Sequence, residues 1–237
     1  MNPHAHITVL KADGTKEAFD IEKLRASLLR SGASGEAVES VVEHILPELK
    51  DGMTTHEIYE HGYKFLADWK KPIAERYSLR RAVMNLGPAG FLFEDLVAEI
   101  LKEKGFDVLT DQTVLGVCVP HEVDVVAWND KKLIMVEAKF HNELGTKSDL
   151  KVALYVKARI DDLKSTTFNY GGKDRKLDEG WLITNTKFSS TALQYGICSN
   201  MTMIGWNYPE KGNLQDMIEA SPRLMEIIFK EEKSKTK

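Results

Sequence analysis

Cysteine is nearly absent: Cys118 and Cys198 are the only two among 237 residues. Two thiols make neither a disulfide framework nor a zinc cluster, so two reduced, partly buried side chains are expected. Long apolar runs are missing as well. No stretch approaches the roughly 18 residues of a membrane-spanning helix, and the first residues lack the basic-then-apolar pattern of a secretory signal. A cytoplasmic protein with no membrane partner is therefore expected. No Gly-rich loop ending in Lys-Ser or Lys-Thr occurs, which argues against ATP hydrolysis. Basic charge is not in excess: 32 Lys and Arg stand against 36 Asp and Glu, a net charge of −4. The chain as a whole does not announce a nucleic-acid partner, although local charge still can. What is present is a 43% hydrophobic composition, enough for the core of one large domain or two small ones.

The character of the chain changes near "NLGPAG", which sets a domain boundary between residues 88 and 89. Before it, "HITVLKADGTKEAFD" reads as two short strands about an Asp13-Gly14 turn. Four helices follow. The first has apolar Ile21, Leu24, Leu28 and Leu29 and stops at Gly32; the second covers 36–49. The third is capped by Thr54 or Thr55 with Glu57 placed for a capping box, and the fourth opens with Pro72 in its first turn. After the boundary, strands alternate with helices. An amphipathic helix starting at about Ala89 closes at Gly105. Strands are expected at 106–109, about 114–119, 122–128 and 132–140, then a helix over 149–164. The strands "GWLITNT" and "MTMIGW" flank a helix in "SSTALQYGICSN", and a last helix spans 214–230. This alternation predicts an α/β domain around a mixed sheet.

Within that domain, "HEVDVVAWNDKKLIMVEAKF" places Asp124, Glu137 and Lys139 inside apolar strands. If Asp130-Lys131 forms a two-residue loop, antiparallel partners have numbers totalling 261, and Asp124 stands across from Glu137. Opposed residues share a face with Cβ atoms roughly 4.5–5.5 Å apart, and Lys139 points the same way. Facing carboxylates repel, and burial sharpens the conflict. A hard divalent cation would resolve it, and the ammonium beside it would stabilise an anion. That constellation suits metal-assisted phosphodiester hydrolysis. The chemistry alone leaves a plainer alternative open: the same count opposes Glu122 to Lys139 as an exposed ion pair, and a longer turn would lose the register.

"GPAGFLFEDLVAEILKEKGFDV", "HEVDVVAW", "IMVEAKFHN" and "WLITNTKFSSTA" together resemble the Mrr-like branch of the restriction-endonuclease superfamily, over about Gly90 to Trp206. The resemblance implies Asp124 and Glu137 as ligands of Mg2+ or Mn2+, Lys139 as the catalytic lysine, and Glu94 on the opening helix as completing the metal site. Thr184, Asn185 and Ser189 read as structural. Between Lys139 and Lys176 nine Lys/Arg stand against five Asp/Glu. Contacts to a DNA backbone are accordingly expected from His141, Lys151, Lys173, Arg175 and Lys176, with Lys147, Lys157 and Arg159 as weaker candidates and "GGKDRK" read as a mobile loop. His121 and His141 flank the core strands and read first as hydrogen-bonded histidines near the sheet ends.

"VLKADGTKEAFDIEKL" looks like an ATP-cone, the regulatory nucleotide-binding module best known from ribonucleotide reductases, over roughly residues 5–88. The family's motif falls on Val9, Lys11, Gly14, Glu17 and Lys23, with Thr55 and Tyr59 on the third helix as further contacts. Lys11 and Lys23 would neutralise phosphates. Ala12 departs from the basic residue often found there, and Tyr59 stands where histidine is common.

The combined expectation is a two-domain chain: an ATP-cone (β-hairpin plus four-helix bundle) over 1–88, and a restriction-endonuclease-like α/β domain with a central mixed sheet over 89–237. Its function would be that of a Mg2+-dependent deoxyribonuclease resembling type IV restriction enzymes. ATP or dATP would act as effector and DNA as substrate, in a homo-oligomer. The rival reading is a catalytically inactive nucleic-acid-binding regulator with nucleotide-controlled oligomerisation. Retention of all four of Glu94, Asp124, Glu137 and Lys139 argues against it.

Overall fold

The computed structural model describes residues 7–11, 14–86, 92–143 and 145–235. The chain divides into two compact units that meet in sequence between Ala82 and Val83. The expected boundary between 88 and 89 lies outside the described residues.

The first unit opens with an antiparallel pair, β1 (Thr8–Leu10) and β2 (Lys16–Ala18). Of the expected Asp-Gly turn only Gly14 is described, at φ +78°; Ala12 and Asp13 are not. Asp20 caps α1 (Ile21–Arg30) by accepting from the Glu22 amide, and Gly32 follows its end as expected. Ser34 caps α2 (Gly35–Ile45). This helix ends earlier than position 49, in a tight turn over Leu46–Glu48, because Pro47 has no N–H to donate back. The expected capping box opens α3 (Thr55–Trp69): the Thr54 hydroxyl accepts from the Glu57 amide at 3.1 Å while Glu57 accepts from the Thr54 amide at 2.7 Å. Helix α4 (Lys71–Met84) carries Pro72 in its first turn. Val9, Phe19, Leu28, Val41, Ile45, Ile58, Leu66 and Ala74 form the buried core.

The second unit begins with α5 (Phe93–Glu103) and continues through β3 (Asp107–Leu115), β4 (Pro120–Trp128), β5 (Leu133–Lys139) and β6 (Lys147–Ser148). Then come α6 (Leu150–Lys164), β7 (Phe168–Tyr170), β8 (Lys173–Arg175), β9 (Glu179–Thr184), β10 (Lys187–Phe188), α7 (Ser190–Cys198), β11 (Thr202–Ile204), α8 (Leu214–Glu219) and α9 (Pro222–Lys235). Five strands make the mixed sheet in the order β11-β9-β5-β4-β3, antiparallel from β3 to β5 and parallel from β5 to β11. Apolar side chains of β4 and β5, Val126, Leu133 and Met135, meet Leu163 of α6 on one face; further along, Ala153 and Val156 of α6 pack with Leu182.

Four further expectations change. The two strands read over 106–119 are one strand plus a turn: β3 pairs with β4 along its length, and residues 116–119 turn back with the Gly116 amide on the Val119 carbonyl. "GGKDRK" is not a loose loop but the end of the β7–β8 hairpin. Gly171 and Gly172 take φ +62° and +70°, the pair of left-handed residues a two-residue hairpin turn requires. The last helix breaks at Ser221-Pro222, where Ser221 caps α9 through the Leu224 amide. Both cysteines are free and exposed rather than partly buried, one in the 116–119 turn and one at the end of α7.

Candidate functional site

The register of β4 and β5 is set by a short turn. The Asn129 amide donates to the Lys132 carbonyl at 3.1 Å, enclosing Asp130-Lys131, while Asn129 Oδ1 accepts from the amides of Lys131 and Lys132. Pairing then runs Trp128 to Leu133, Ala127 to Ile134, Val126 to Met135 and Val125 to Val136. Every pair totals 261, and the next would be Asp124 to Glu137. There the ladder stops. Asp124 Oδ2 accepts from the Ala138 amide at 2.6 Å, so a side chain occupies the place a strand partner would take. The strands part at the two carboxylates. Glu122 does not reach Lys139; it pairs with Thr113 on the far side. Beyond the parting, β5 keeps its strand pairing with β9, with Glu137 beside Leu182 and Lys139 beside Thr184.

Both carboxyls are half-buried, and burial raises each above its usual range. For Glu137 the charge of Asp124 adds to the rise; for Asp124 the Ala138 amide and the charge of Arg159 oppose it. Glu94 sits in the first turn of α5, where Asp95 serves the Leu92 amide as the local cap. Its carboxyl is raised too, first by burial, then by Asp124 and by Asp111. The Lys139 charge works against the rise at both Asp124 and Glu137. Asp124 thus interacts electrostatically with Glu94 of α5 and with Glu137 and Lys139 of β5.

Two participants were not legible in the sequence as partners of the carboxylates, although Arg159 stands among the weaker candidates for DNA contact. Asp111 stands across from Asp124 on β3, in the gap between the pairs Thr110–Val125 and Gln112–Val123. It holds φ +53° inside a strand, which an L-residue adopts at a cost and Asp tolerates better than most. Arg159 of α6 donates from Nη1 to Glu137 and from Nη2 to the Tyr155 hydroxyl, with its guanidinium 4.8 Å from the Tyr155 ring centre. The only signal for Asp111 was the β3–β4 register, which needs a four-residue turn that no Gly-Asn or Asp-Gly pair marks. The signals for Arg159 were the local excess of basic residues, which named it as a weaker DNA-backbone candidate, and helical spacing on α6.

The donor set is hard carboxylate oxygen, which fits Mg2+ or Mn2+. Among the described residues no three His, Cys, Asp or Glu side chains come together as a group that could hold a metal ion. Like charges repel one another, and Arg159 supplies Glu137 with a counter-charge.

The remaining expected residues are placed as follows. His141 is pinned through its backbone by the buried Asn185, at 2.8 Å and 2.7 Å, and its Nε2 lies 2.9 Å from Ser148 Oγ. Burial and Lys139 hold its pKa below the usual imidazole value. Arg175 spends its Nε and Nη1 on the carbonyls of Tyr170 and Asn129. Lys173 meets Asp130 at 3.0 Å and Lys176 the Ser165 carbonyl at 2.7 Å, both on the surface with Lys151. His121 bonds Asp162 at 2.7 Å.

In the first unit, Lys11 and Lys23 both bond Glu17, at 2.7 Å and 3.0 Å, and both lower its pKa. Val9 is buried and pairs with Glu17 across the hairpin. Thr55 is exposed at the start of α3. One turn later Tyr59 stacks between Tyr63 and Tyr77, with the Arg81 guanidinium 3.6 Å from its ring centre.

Comparison with known proteins bears on both units. The ATP cone domain family matches residues 7–85, and a restriction endonuclease family matches residues 89–206. An uncharacterized protein of Archaeoglobus fulgidus is 38% identical over 124 residues, which is 52% of this chain and 66% of the relative. Among solved structures, the protein of unknown function AF1548 is also 38% identical, with a TM-score of 0.47 over 54% of this chain and 64% of that one. The MspJI restriction endonuclease, solved with a 27-mer oligonucleotide, is 14% identical with a TM-score of 0.31, over 68% of this chain and 34% of that one. The chain therefore spans just under two thirds of the first two relatives.

Proposed function

For a chain that carries an ATP cone domain followed by a restriction-endonuclease domain, we propose a metal-dependent deoxyribonuclease that responds to ATP or dATP. One observation carries this reading: β4 and β5 part where two half-buried carboxylates oppose each other, with a lysine two residues on. Such a pair works against folding and is expected only where chemistry needs it.

In this reading Asp124 and Glu137, with Glu94, hold Mg2+ or Mn2+. When bound, the ion supplies Lewis acidity at phosphorus and a more acidic water. Lys139 shares the face of Glu137 and stabilises negative charge on the phosphodiester oxygens as one P–O bond forms and another breaks. The β5–β9 pairing and the Asn185 clamp on His141 keep the Glu137–Lys139 segment rigid during that change. Lys151, Lys173 and Lys176 meet the DNA backbone, while Arg175 and His141 shape the elements that present them. In the cone, Lys11 and Lys23 take nucleotide phosphates, Val9 and Gly14 line the base and the turn, Glu17 orients the lysines, and Thr55 and Tyr59 complete the contact. Nucleotide then acts by its differential affinity for two states of the protein, which include different homo-oligomers.

The test is plasmid cleavage in Mg2+ or Mn2+, with and without ATP or dATP, alongside Asp124→Ala and Lys139→Ala. Metal-dependent cleavage lost in both variants is expected. No cleavage with either metal would refute the nuclease, and cleavage surviving Asp124→Ala would refute the site. Calorimetry with ATP and dATP, and light scattering with and without them, test the cone.

A further inference from the structure

We propose that Arg159 is a phosphate-binding residue of this site, parked on Glu137 until a divalent cation claims that carboxylate. The inference rests on the nuclease reading and moves Arg159 from a weak candidate for general backbone contact to a defined place beside the carboxylates. Helix α6 is fixed against the sheet by buried Ala153, Val156 and Leu163, so the root of Arg159 is not free to wander. The side chain is only 13% exposed and its Glu137 partner 18%. One edge of the guanidinium is used, by Glu137 and by the Tyr155 hydroxyl, whereas Nε is buried with no hydrogen-bond partner. A buried N–H without an acceptor is unfavourable and calls for one.

The acceptor that fits is a phosphate oxygen. A guanidinium offers five N–H groups in a planar fork that matches phosphate better than a lone carboxylate does. The group already sits at the carboxylate pair, its charge acting on both Asp124 and Glu137. A divalent cation and Arg159 cannot both be satisfied by one carboxylate, so the two compete for Glu137. A guanidinium displaced from Glu137, still held beside Tyr155, is left facing whatever anion occupies the site. In a nuclease that anion is the phosphodiester.

A plain structural tether between α6 and β5 is the rival account, and metal affinity separates the two. The experiment uses the full chain with Arg159→Met and Arg159→Lys. Mn2+ affinity is read by calorimetry without DNA, and single-turnover cleavage of a duplex at saturating Mn2+. With Arg159→Met the Mn2+ dissociation constant should fall on the order of tenfold, the usual size of such a coupling. The cleavage rate should fall roughly 10²–10³-fold, as for loss of one donor to developing charge. Arg159→Lys keeps the charge without the fork; it should bind Mn2+ as wild type does and recover only part of the rate. Unchanged or weaker Mn2+ binding in Arg159→Met, or wild-type cleavage in either variant, would overturn the proposal while leaving the nuclease intact. Wild-type protein that neither binds Mn2+ nor cleaves would instead remove the nuclease reading beneath it.

Discussion

The two units hold charge in opposite ways. In the first, two lysines converge on one carboxylate, Glu17; in the second, carboxylates gather and one of them is held by a single arginine, Arg159. Each arrangement supplies from within the counter-charge that an outside ligand would bring: an anion for the lysines, a cation for the carboxylates. They differ in water. The side chains of Lys11 and Lys23 are 39% and 63% exposed, against 13% for Arg159. Exposed pairs are screened and loosely held, so a nucleotide can take them over at little cost. The Arg159–Glu137 pair is mostly out of water, where removing one partner strands the other. On the proposed reading, easy exchange would suit an effector site, and a guarded pair would suit a site that acts only with a metal bound.

The sharpest way to break this comparison is to delete the counter-charge on each side. Arg159→Met should destabilise the metal-free protein by about 3 kcal/mol, read by urea unfolding in EDTA; Glu17→Gln should cost under about 1 kcal/mol. Equal losses would show that burial does not separate the two sites. Next in size is nucleotide binding. Lys11→Ala and Lys23→Ala should each weaken ATP by roughly tenfold, as expected for one charge-assisted contact, with no change in Mn2+ affinity. Backbone strain at the sheet site comes third. Asp111→Val should cost about 1–2 kcal/mol because a β-branched residue resists the left-handed region, while Asp111→Asn should fold as wild type does; thermal melts compare them.

The smallest effect concerns Asp162, whose carboxyl is held down to about 2, chiefly by His121 and also by the amides of Cys118 and Val119. A carboxyl lowered in the folded state stabilises above its unfolded value of 3.8, and that stabilisation is lost as pH falls from there toward about 2. Asp162→Asn should therefore melt below wild type at pH 7, with the gap closing over that window. A gap that stays constant would mean the charge is not what matters.

How much could be read in advance follows the range of each interaction. The Thr54–Glu57 box, the stop at Gly32 and the Asp130-Lys131 loop each depend on residues within one turn or one hairpin, and each is present; the register that loop sets runs as far as Val125 and Val136, one pair short of Asp124 and Glu137. The mixed sheet was legible from alternation of element types. The misreadings share a cause as well. The break at Asp111 looked like a gap between strands because the four polar residues Thr110 to Thr113 separate two apolar pairs and say nothing about their partners across the ladder. The "GGKDRK" hairpin was read as loose because glycine pairs signal freedom and tight turns alike.

The sequence by itself determined two units, a hairpin with two nearby lysines, and a strand pair bearing two carboxylates and a lysine; the nucleotide character of the hairpin was what the family resemblance implied. Only tertiary structure decided that Arg159, 22 residues beyond Glu137, closes on it, that Asp111 faces Asp124, and that the strands part at the carboxylates. The physical reason is that periodicity gives the direction of a side chain from its own backbone. Which backbone lies opposite is set by how α6 and β3 pack on the sheet, a choice made by burial of many apolar side chains at once and written in no single motif.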